Sequence, residues 1–351
     1  MLISNKGRSF AWIATIGFCV LFAIRPDCFA VPTAADAFTA LGTAGPKHWQ
    51  ILEVGNGTVT EQVDLSNPQG GVFGNVGVQK NGKLQDSGPI IHGDLYLGDN
   101  AQAQFSGSAT VTGTVHLGTN AKVSPSSLKQ VHDNPQPLLD AARANAISAS
   151  ATASAVPKTI LVGNGTGNPT GFYSGINSGT INLGHASATL TAGTFDLKTF
   201  QMDHSTLTLT GPGYFIFNIT STFKLSTGKI FLANGATEDH VLFNYTGTQD
   251  VAFSGGTGGA GTNPKTSTES VLHGIILALN ANVNLAPGLV VGEIISGKNI
   301  SIVSGAKVKP PPVPDQGGTI SLGLLCMIGL FLFQRFSSRD KRAGLIRIPR
   351  S

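Results

Sequence analysis

The chain has 351 residues, of which 23 are Lys or Arg and 19 are Asp or Glu, so its formal net charge is +4 at pH 7. Nine of the basic residues and two of the acidic ones lie before residue 31 or after residue 334, which leaves a net charge of −3 on the stretch between. This stretch lacks the excess of positive charge that nucleic-acid binding requires. All three cysteines lie before residue 31 or after residue 309, which excludes a disulfide framework and a thiolate metal site from the body.

Residues 1–30 have the pattern of a secretory signal peptide. Lys6 and Arg8 precede an uncharged, mostly apolar run over 10–24, and small residues lie three positions and one position before a cleavage ahead of Val31. The export machinery reads this order of charge, apolar run and small residues. The alternative is an uncleaved membrane anchor, although the run is shorter than the about 20 residues that span a bilayer.

Repeats of fixed spacing predict the fold of the body. Residues 93–101 are echoed by 113–121 at an offset of 20, and residues 274–278 are echoed by 292–296 at an offset of 18. A period near 20 with one apolar strand per repeat is typical of a β-solenoid, in which each turn of the chain buries its apolar face against the next. A β-sandwich is the alternative, because it also uses short strands and turns. The fixed offsets favour an all-β solenoid.

One α-helix, at about 137–156, interrupts the predicted strands of a body that extends over 31–309. Prolines stand before this alanine-rich segment and directly after it, which suits the start and the end of a helix. Its small residues would let it lie flat along the side of the solenoid. We expect it to bury three larger side chains: Leu138, Leu139 and Ile147.

The C-terminal region contains a spacer, an apolar segment and a basic tail. Residues 310–318 are rich in Pro and Gly and predict a stiff extended linker, residues 319–334 form a hydrophobic anchor, and the tail over 335–351 carries six Lys or Arg. Positive charge beside an apolar helix keeps that side in the cytoplasm. The body would therefore lie outside and the tail inside.

This C-terminal region resembles the VPDSG-CTERM and PEP-CTERM sorting signals of Gram-negative bacteria. The matching residues of the motif are Val313, Pro314, Asp315, Gly317 and Thr319. Gln316 stands where the VPDSG form usually has serine. The resemblance implies recognition by an exosortase-type enzyme, transient membrane attachment, removal of the tail, and delivery to the cell surface or to exopolysaccharide. A permanent single-pass anchor is the alternative.

Acidic residues are scattered along the body, and no pair matches the two carboxylates that glycoside hydrolysis needs. The densest clusters are 238–240 (Glu-Asp-His) and 203–204 (Asp-His). Neighbouring strand residues point to opposite faces, so we interpret both clusters as solvated turn residues. The sequence therefore predicts a non-enzymatic protein with no catalytic, cofactor-binding or metal-binding residue.

The body as a whole, over about 38–308, resembles the ice-binding-protein-like β-solenoid family and the related choice-of-anchor A surface domain. The stretches that carry the resemblance are 190–197, 207–211, 214–217, 241–244, 274–278 and 292–295. The resemblance implies a right-handed β-solenoid with an α-helix packed alongside. It also implies a protein that binds ice, acts as an adhesin, or is displayed at the surface by one of several anchors.

Two sets of alternating threonines are candidates for a face that binds ice or glycan, because alternate strand residues point to the same side. They are Thr110, Thr112 and Thr114, and Thr206, Thr208 and Thr210. Threonine is also simply a good strand residue, and the repeats do not keep it in register.

We expect an exported, non-catalytic protein of the cell surface or extracellular matrix, with an adhesive or structural role. The main alternative is an ice-binding protein, and a less favoured one is an extracellular carbohydrate-active enzyme. The expected partners are an exosortase-type enzyme, the membrane before cleavage, and exopolysaccharide or ice, but no nucleic acid.

Overall fold

The computed structural model describes residues 31–55, 62–64, 71–159, 176–177, 179–255, 269–303 and 305–311. The sequence-predicted signal peptide, the hydrophobic anchor and the basic tail lie outside these ranges. So do all five residues of the predicted sorting motif: Val313, Pro314, Asp315, Gly317 and Thr319. Within these ranges, neither α-helix is both long and apolar enough to cross a membrane.

The first half of the described chain alternates short strands with turns, between two α-helices. The helices are α1 (Ala34–Leu41) and α2 (Gln136–Ala155). The strands between them are β1 (Ile51–Glu53), β2 (Gln62–Asp64), β3 (Gly71–Val72), β4 (Val76–Val78), β5 (Lys83–Ser87), β6 (Ile90–Ile91), β7 (Leu95–Leu97), β8 (Gln102–Ser106), β9 (Thr110–Val111), β10 (Val115–Leu117), β11 (Lys122–Ser124) and β12 (Gln130–Val131).

Two long strands in the second half bend through several directions, and the described part of this half contains twelve strands in all. They are β13 (Ile176–Asn177), β14 (Thr180–Gly184), β15 (Ser187–Asp203), β16 (Thr206–Ser226), β17 (Lys229–Ala233), β18 (Val241–Tyr245), β19 (Val251–Ser254), β20 (Ser270–Ala278), β21 (Val283–Ala286), β22 (Gly288–Ser296), β23 (Ile300–Ile302) and β24 (Lys307–Lys309). Short 3-10 turns lie at Gly42–Ala44 and Glu238–His240.

Strand β13 pairs antiparallel with β14. The other strands pair in three parallel ladders, and the chain visits the ladders in turn. Ladder a runs in the order β12, β10, β7, β4, β1, β22, β20, β18, β16 and β15. Ladder b runs in the order β11, β8, β5, β2, β23, β21, β19, β16, β15 and β14. Ladder c runs in the order β9, β6, β3, β24, β22, β20, β17, β16 and β15. We call one passage through the ladders a circuit.

The strand register places the repeats seen in the sequence side by side. Leu95 pairs with Val115 at an offset of 20 residues, and Ile276 pairs with Ile294 at an offset of 18. Side chains alternate between inside and outside, as in β8, where the second and fourth residues are buried and the others are exposed. The inward side chains of all three ladders form one continuous apolar core.

The order of circuits in space differs from their order in the chain. Strand β1 pairs with β4 on one side and with β22 on the other. The last circuit in the chain (β22–β24) therefore lies against the first (β1–β3). The stacked circuits form one array, and its two ends are β9–β12 and β14–β15.

Helix α2 joins the two ends of the array along the outside of ladder a. Its 20 residues rise about 30 Å, and the six strand spacings from β7 to β16 amount to about 29 Å. Its first turn contacts the early circuits, where Gln136 accepts a hydrogen bond from the backbone N–H of Asp99. Near its last turn, the carbonyl of Ala153 accepts one from Asn218 on β16.

The buried face of α2 consists mostly of small residues. Ala142, Ala146, Ala149 and Ala153 are fully buried together with Leu139, and they pack against the outward side of ladder a. The predicted burial of Ile147 is wrong, because half of this side chain is exposed. A face of alanines lets the helix backbone approach the sheet closely, and Ile147 lies on the opposite side.

Glu293, on β22, is a buried carboxyl group that pairs in register with Ile275. Neither of its carboxyl oxygens has a hydrogen-bond partner among the residues that the structure describes. Burial therefore raises the pKa of Glu293 well above its ordinary value of 4.5. The group is neutral in the folded protein at pH values where it ionises in the unfolded chain.

We predict that this group makes the protein less stable as the pH rises. Its contribution to the free energy of unfolding is fully present below about pH 4.5 and is lost as the pH rises through its raised pKa. Glu293→Gln should raise the free energy of unfolding at pH 8 by about 1–3 kcal/mol and have little effect at pH 4. Urea unfolding at both pH values measures this, with Asp239→Asn at an exposed position as the charge-matched control. An equal effect of Glu293→Gln at both pH values would contradict the prediction.

Candidate functional site

Ladders b and c have outward sides that solvent can reach, whereas the outward side of ladder a is covered. Ile216, Leu242 and Ile275 on ladder a form a second buried cluster with residues of α1 and α2. Two buried asparagines also fix α2 there: Asn218 donates to the carbonyl of Ala153, and Asn244 donates to the carbonyl of Ser150. A binding surface on the described strands must therefore use ladder b or ladder c.

Six neighbouring strands of ladder b (β14, β15, β16, β19, β21 and β23) present mainly short polar side chains to solvent. Their inward residues are apolar and buried, as Phe200 and Leu285 illustrate. Their partly or fully exposed outward residues are Thr180, Asn182, Gly184, Thr199, Gln201, Asp203, Thr222, Lys224, Ser226, Ala252, Ser254, Asn284, Ala286 and Ser301. We call this set the b surface.

The register arranges the b surface in straight rows. The central row follows the pairing Asn182, Gln201, Lys224, Ala252, Asn284 and Ser301 across all six strands. A second row stacks Thr180, Thr199 and Thr222 on three successive strands. Neighbours in a row are about 4.8 Å apart, because that is the spacing of strands in a sheet. Hydrogen bonding restrains the row in part, since Asn284 donates to Asp250 over 3.1 Å.

Ladder c carries a smaller array of hydroxyl groups at one end, which we call the hydroxyl patch. It consists of Ser187, Thr189 and Thr191 on β15 and Thr206, Thr208 and Thr210 on β16. The hydroxyl groups stop at the next strand, β17. There the positions that pair with the three threonines of β16 are occupied by Lys229, Phe231 and Ala233.

The two sets of threonines predicted from the sequence lie far apart. Thr206, Thr208 and Thr210 share the outward side of β16, but Thr110 lies on β9 at the opposite end of ladder c. Seven strand spacings, about 34 Å, separate β16 from β9. Thr112 and Thr114 follow β9 in the turn that leads to β10. The structure therefore does not unite the six threonines in one patch.

The cleft near the C-terminal end of α2 does not have the composition of a glycosidase site. It has a volume of about 410 Å³ and is lined by Ser154, Asp196, Leu197, Lys198, Asn218, Thr220 and Thr246. Asp196 is the single carboxylate in it, accepting hydrogen bonds from Asn218 and Lys158. The second carboxylate that glycoside hydrolysis uses is missing from this lining.

The acidic clusters noted in the sequence have partners from other circuits. Oε1 of Glu238 and Nδ1 of His273 share a hydrogen bond of 2.9 Å. Asp203 contacts His204 and also faces His185 on the neighbouring turn. His185 had no role in the sequence-based prediction, because its distance of 18 residues from Asp203 shows no motif.

A family model described as ice-binding-like matches residues 63–291, which is more than half of the chain. No curated protein matches the sequence. Among solved structures, the chain is similar to an ice-binding protein from the Antarctic ascomycete Antarctomyces psychrotrophicus, at 16% identity and TM-score 0.39, covering 78% of this chain and 98% of that one.

Two further solved structures are similar at the same low level. One is an ice-binding protein from an Arctic yeast, at 17% identity and TM-score 0.39, covering 78% of this chain and 94% of that one. The other is an ice-binding protein domain of Shewanella frigidimarina, at 16% identity and TM-score 0.38, covering 78% and 97%.

Proposed function

The chain belongs to the ice-binding-like family, and from this premise we propose that the protein binds ice. The adhesive or structural role that we expected from the sequence as the main function is therefore wrong. The residues matched by the family model, 63–291, make up most of the body to which that role was assigned.

The b surface is the proposed contact with ice, and one observation carries this choice. The surface is an uncovered set of six parallel strands whose central row continues in register from Asn182 to Ser301. The hydroxyl groups of Thr180, Thr199 and Thr222 repeat at about 4.8 Å beside this row, and groups at such a spacing can hold ordered water molecules at repeating positions. Water held between such groups is enthalpically close to a direct hydrogen bond.

Rigidity supports the same choice, because a surface that is ordered before binding loses little conformational entropy on contact. Each strand of the b surface is hydrogen-bonded to neighbours and anchored by inward apolar side chains such as Phe223 and Phe253. The short outward side chains have few rotamers to lose. Lys224 is the one long basic side chain in the central row.

The three ladders would form the sides of a right-handed β-solenoid, with α2 along one side. The protein would act after export, with residues 1–30 as signal peptide. The ranges 310–318, 319–334 and 335–351 would serve as linker with sorting motif, anchor and tail. The family resemblance and the charge pattern of the two ends support this part of the proposal.

The first experiment is ice growth in the presence of the purified protein, followed by microscopy of single crystals and of recrystallisation in a frozen film. We expect faceted crystals and arrested recrystallisation, with an inert globular protein at equal concentration as the control. Rounded crystals and undiminished recrystallisation at high protein concentration would refute ice binding.

A further inference from the structure

A cluster of two histidines and one aspartate lies where ladder b turns into ladder c. His185 occupies the turn between β14 and β15, and His204 occupies the equivalent turn between β15 and β16, directly after Asp203. The two turns lie side by side, since Gly184 pairs with Asp203 in the parallel register. Residues from neighbouring circuits are thus brought together in a way that their distance in the chain does not reveal.

The backbone holds both histidines in a particular orientation. His185 and His204 have φ angles of 51° and 43°, in the left-handed region that non-glycine residues rarely adopt. Their imidazole rings stack with centroids 5.0 Å apart and an angle of 9° between the ring planes. The turn geometry therefore places two imidazoles on the same side of Asp203.

The three side chains present their ligand atoms to one another. Nδ1 of His204 lies 2.9 Å from Oδ1 of Asp203, and Nε2 of His185 lies 3.9 Å from Oδ2. One ligand atom from each residue lies within 4.8 Å of the other two. Ligands of a tetrahedral ion with bonds of about 2.0–2.1 Å are about 3.3 Å apart, so the side chains must close from separations of up to 4.8 Å when they bind the ion.

The site also has room for an ion. Gly184 stands beside Asp203 in the register, and a Cβ atom added there would meet nothing within 4 Å. The side chains of His185 and His204 are 75% and 54% exposed, so their rings can rotate by the small amounts that coordination needs.

We propose that His185, Asp203 and His204 bind a divalent first-row transition-metal ion, of which Zn²⁺ is the test ion. Imidazole nitrogen suits Zn²⁺, Cu²⁺ and Ni²⁺, whereas Mg²⁺ and Ca²⁺ prefer sites made of oxygen alone. Water would complete the coordination on the open side, next to Gly184. The bound ion would cross-link two adjacent turns close to the end of the array formed by β14 and β15.

Asparagine is the substitution that tests the site without disturbing the turn. Asn adopts the left-handed conformation more readily than most residues, and Asn81, Asn100 and Asn120 do so in other turns of this protein. His185→Asn and His204→Asn therefore keep the backbone and remove one imidazole each. His92→Asn is the matched control, because His92 is an exposed histidine outside the cluster that stacks on Phe73.

The experiment is calorimetric titration of the full chain, purified without a histidine tag, with ZnCl₂ and separately with MgCl₂. We expect one Zn²⁺ per chain and no Mg²⁺ binding. His185→Asn and His204→Asn should each weaken Zn²⁺ binding at least tenfold, and His92→Asn should leave it unchanged. Zn²⁺ should also raise the Tm of the wild type and of His92→Asn, because binding to the folded state alone stabilises it.

Absence of saturable Zn²⁺ binding by the wild type would overturn the proposal. So would Zn²⁺ binding of unchanged affinity in His185→Asn and His204→Asn, with both variants shown to be folded by circular dichroism. The titration makes no use of ice, so its result is independent of the proposed function.

Discussion

Replacing Gly292 by alanine is expected to lower the free energy of unfolding by about 3 kcal/mol or more, the largest stability loss we predict for a single methyl group. Gly292 lies within β22, where the strand passes from ladder c to ladder a, and it has a φ angle of 143°. Residues with a side chain rarely adopt this angle.

The neighbouring circuit makes the substitution worse, because Gly292 pairs with Gly274 at the same bend of β20. A Cβ atom on Gly292 would overlap the carbonyl oxygen and carbon of Gly274. Both are backbone atoms held in the parallel ladder, so they cannot move aside as a flexible side chain could. Strain and overlap therefore act together at this position.

Gly184→Ala is the control, since the added methyl group would meet nothing within 4 Å and the residue lies at the exposed end of β14. Urea unfolding followed by far-UV circular dichroism gives both free energies. We expect a change within about 0.5 kcal/mol for the control. Equal stability of the two variants would show that the bend at Gly292 does not require glycine.

Ala252→Tyr is expected to reduce inhibition of ice recrystallisation at least tenfold, the largest functional loss we predict. Ala252 lies in the central row of the b surface, between Lys224 and Asn284. A tyrosine there would project above the short side chains of Asn284 and Ser301 in the same row and would separate the surface from a flat crystal plane. A tenfold loss corresponds to about 1.4 kcal/mol of binding free energy.

Thr208→Tyr introduces the same side chain into the hydroxyl patch of ladder c, where Thr208 pairs with Thr189 and Phe231. We expect this variant to retain activity, and a Tm close to that of the wild type in both variants would exclude unfolding as a cause. The reverse result, with Thr208→Tyr inactive and Ala252→Tyr active, would move the ice contact to the hydroxyl patch.

The parallel register could be predicted from the sequence, whereas the order of the circuits could not. Offsets of 20 and 18 residues show which residues pair locally, such as Leu95 with Val115. Pairing of Ile51 with Ile294 joins residues more than 240 positions apart and leaves no periodic signal. For the same reason, the sequence does not show how far apart the two sets of candidate threonines lie, because the pattern of a strand does not reveal its place in the array.

The position of helix α2 in the chain could be predicted from the sequence, whereas the direction of its buried face could not. The prolines and alanines around 137–156 predict a helix, and α2 extends over Gln136–Ala155. The direction of its buried face depends on how closely it approaches ladder a, so the alanine side is buried and Ile147 is left in solvent. Helix α1 has only eight residues, too few for a clear periodic signal.

The position of the last circuit beside the first has a consequence for how the chain folds. Until residues of β22–β24 exist, β1–β3 have one unpaired edge, which is a template for pairing with other chains. Contacts between residues so far apart in the chain form slowly, because the intervening loop must lose conformational entropy before the contact forms. The early circuits can pair among themselves at once, but the array becomes continuous only when nearly the whole body has been synthesised.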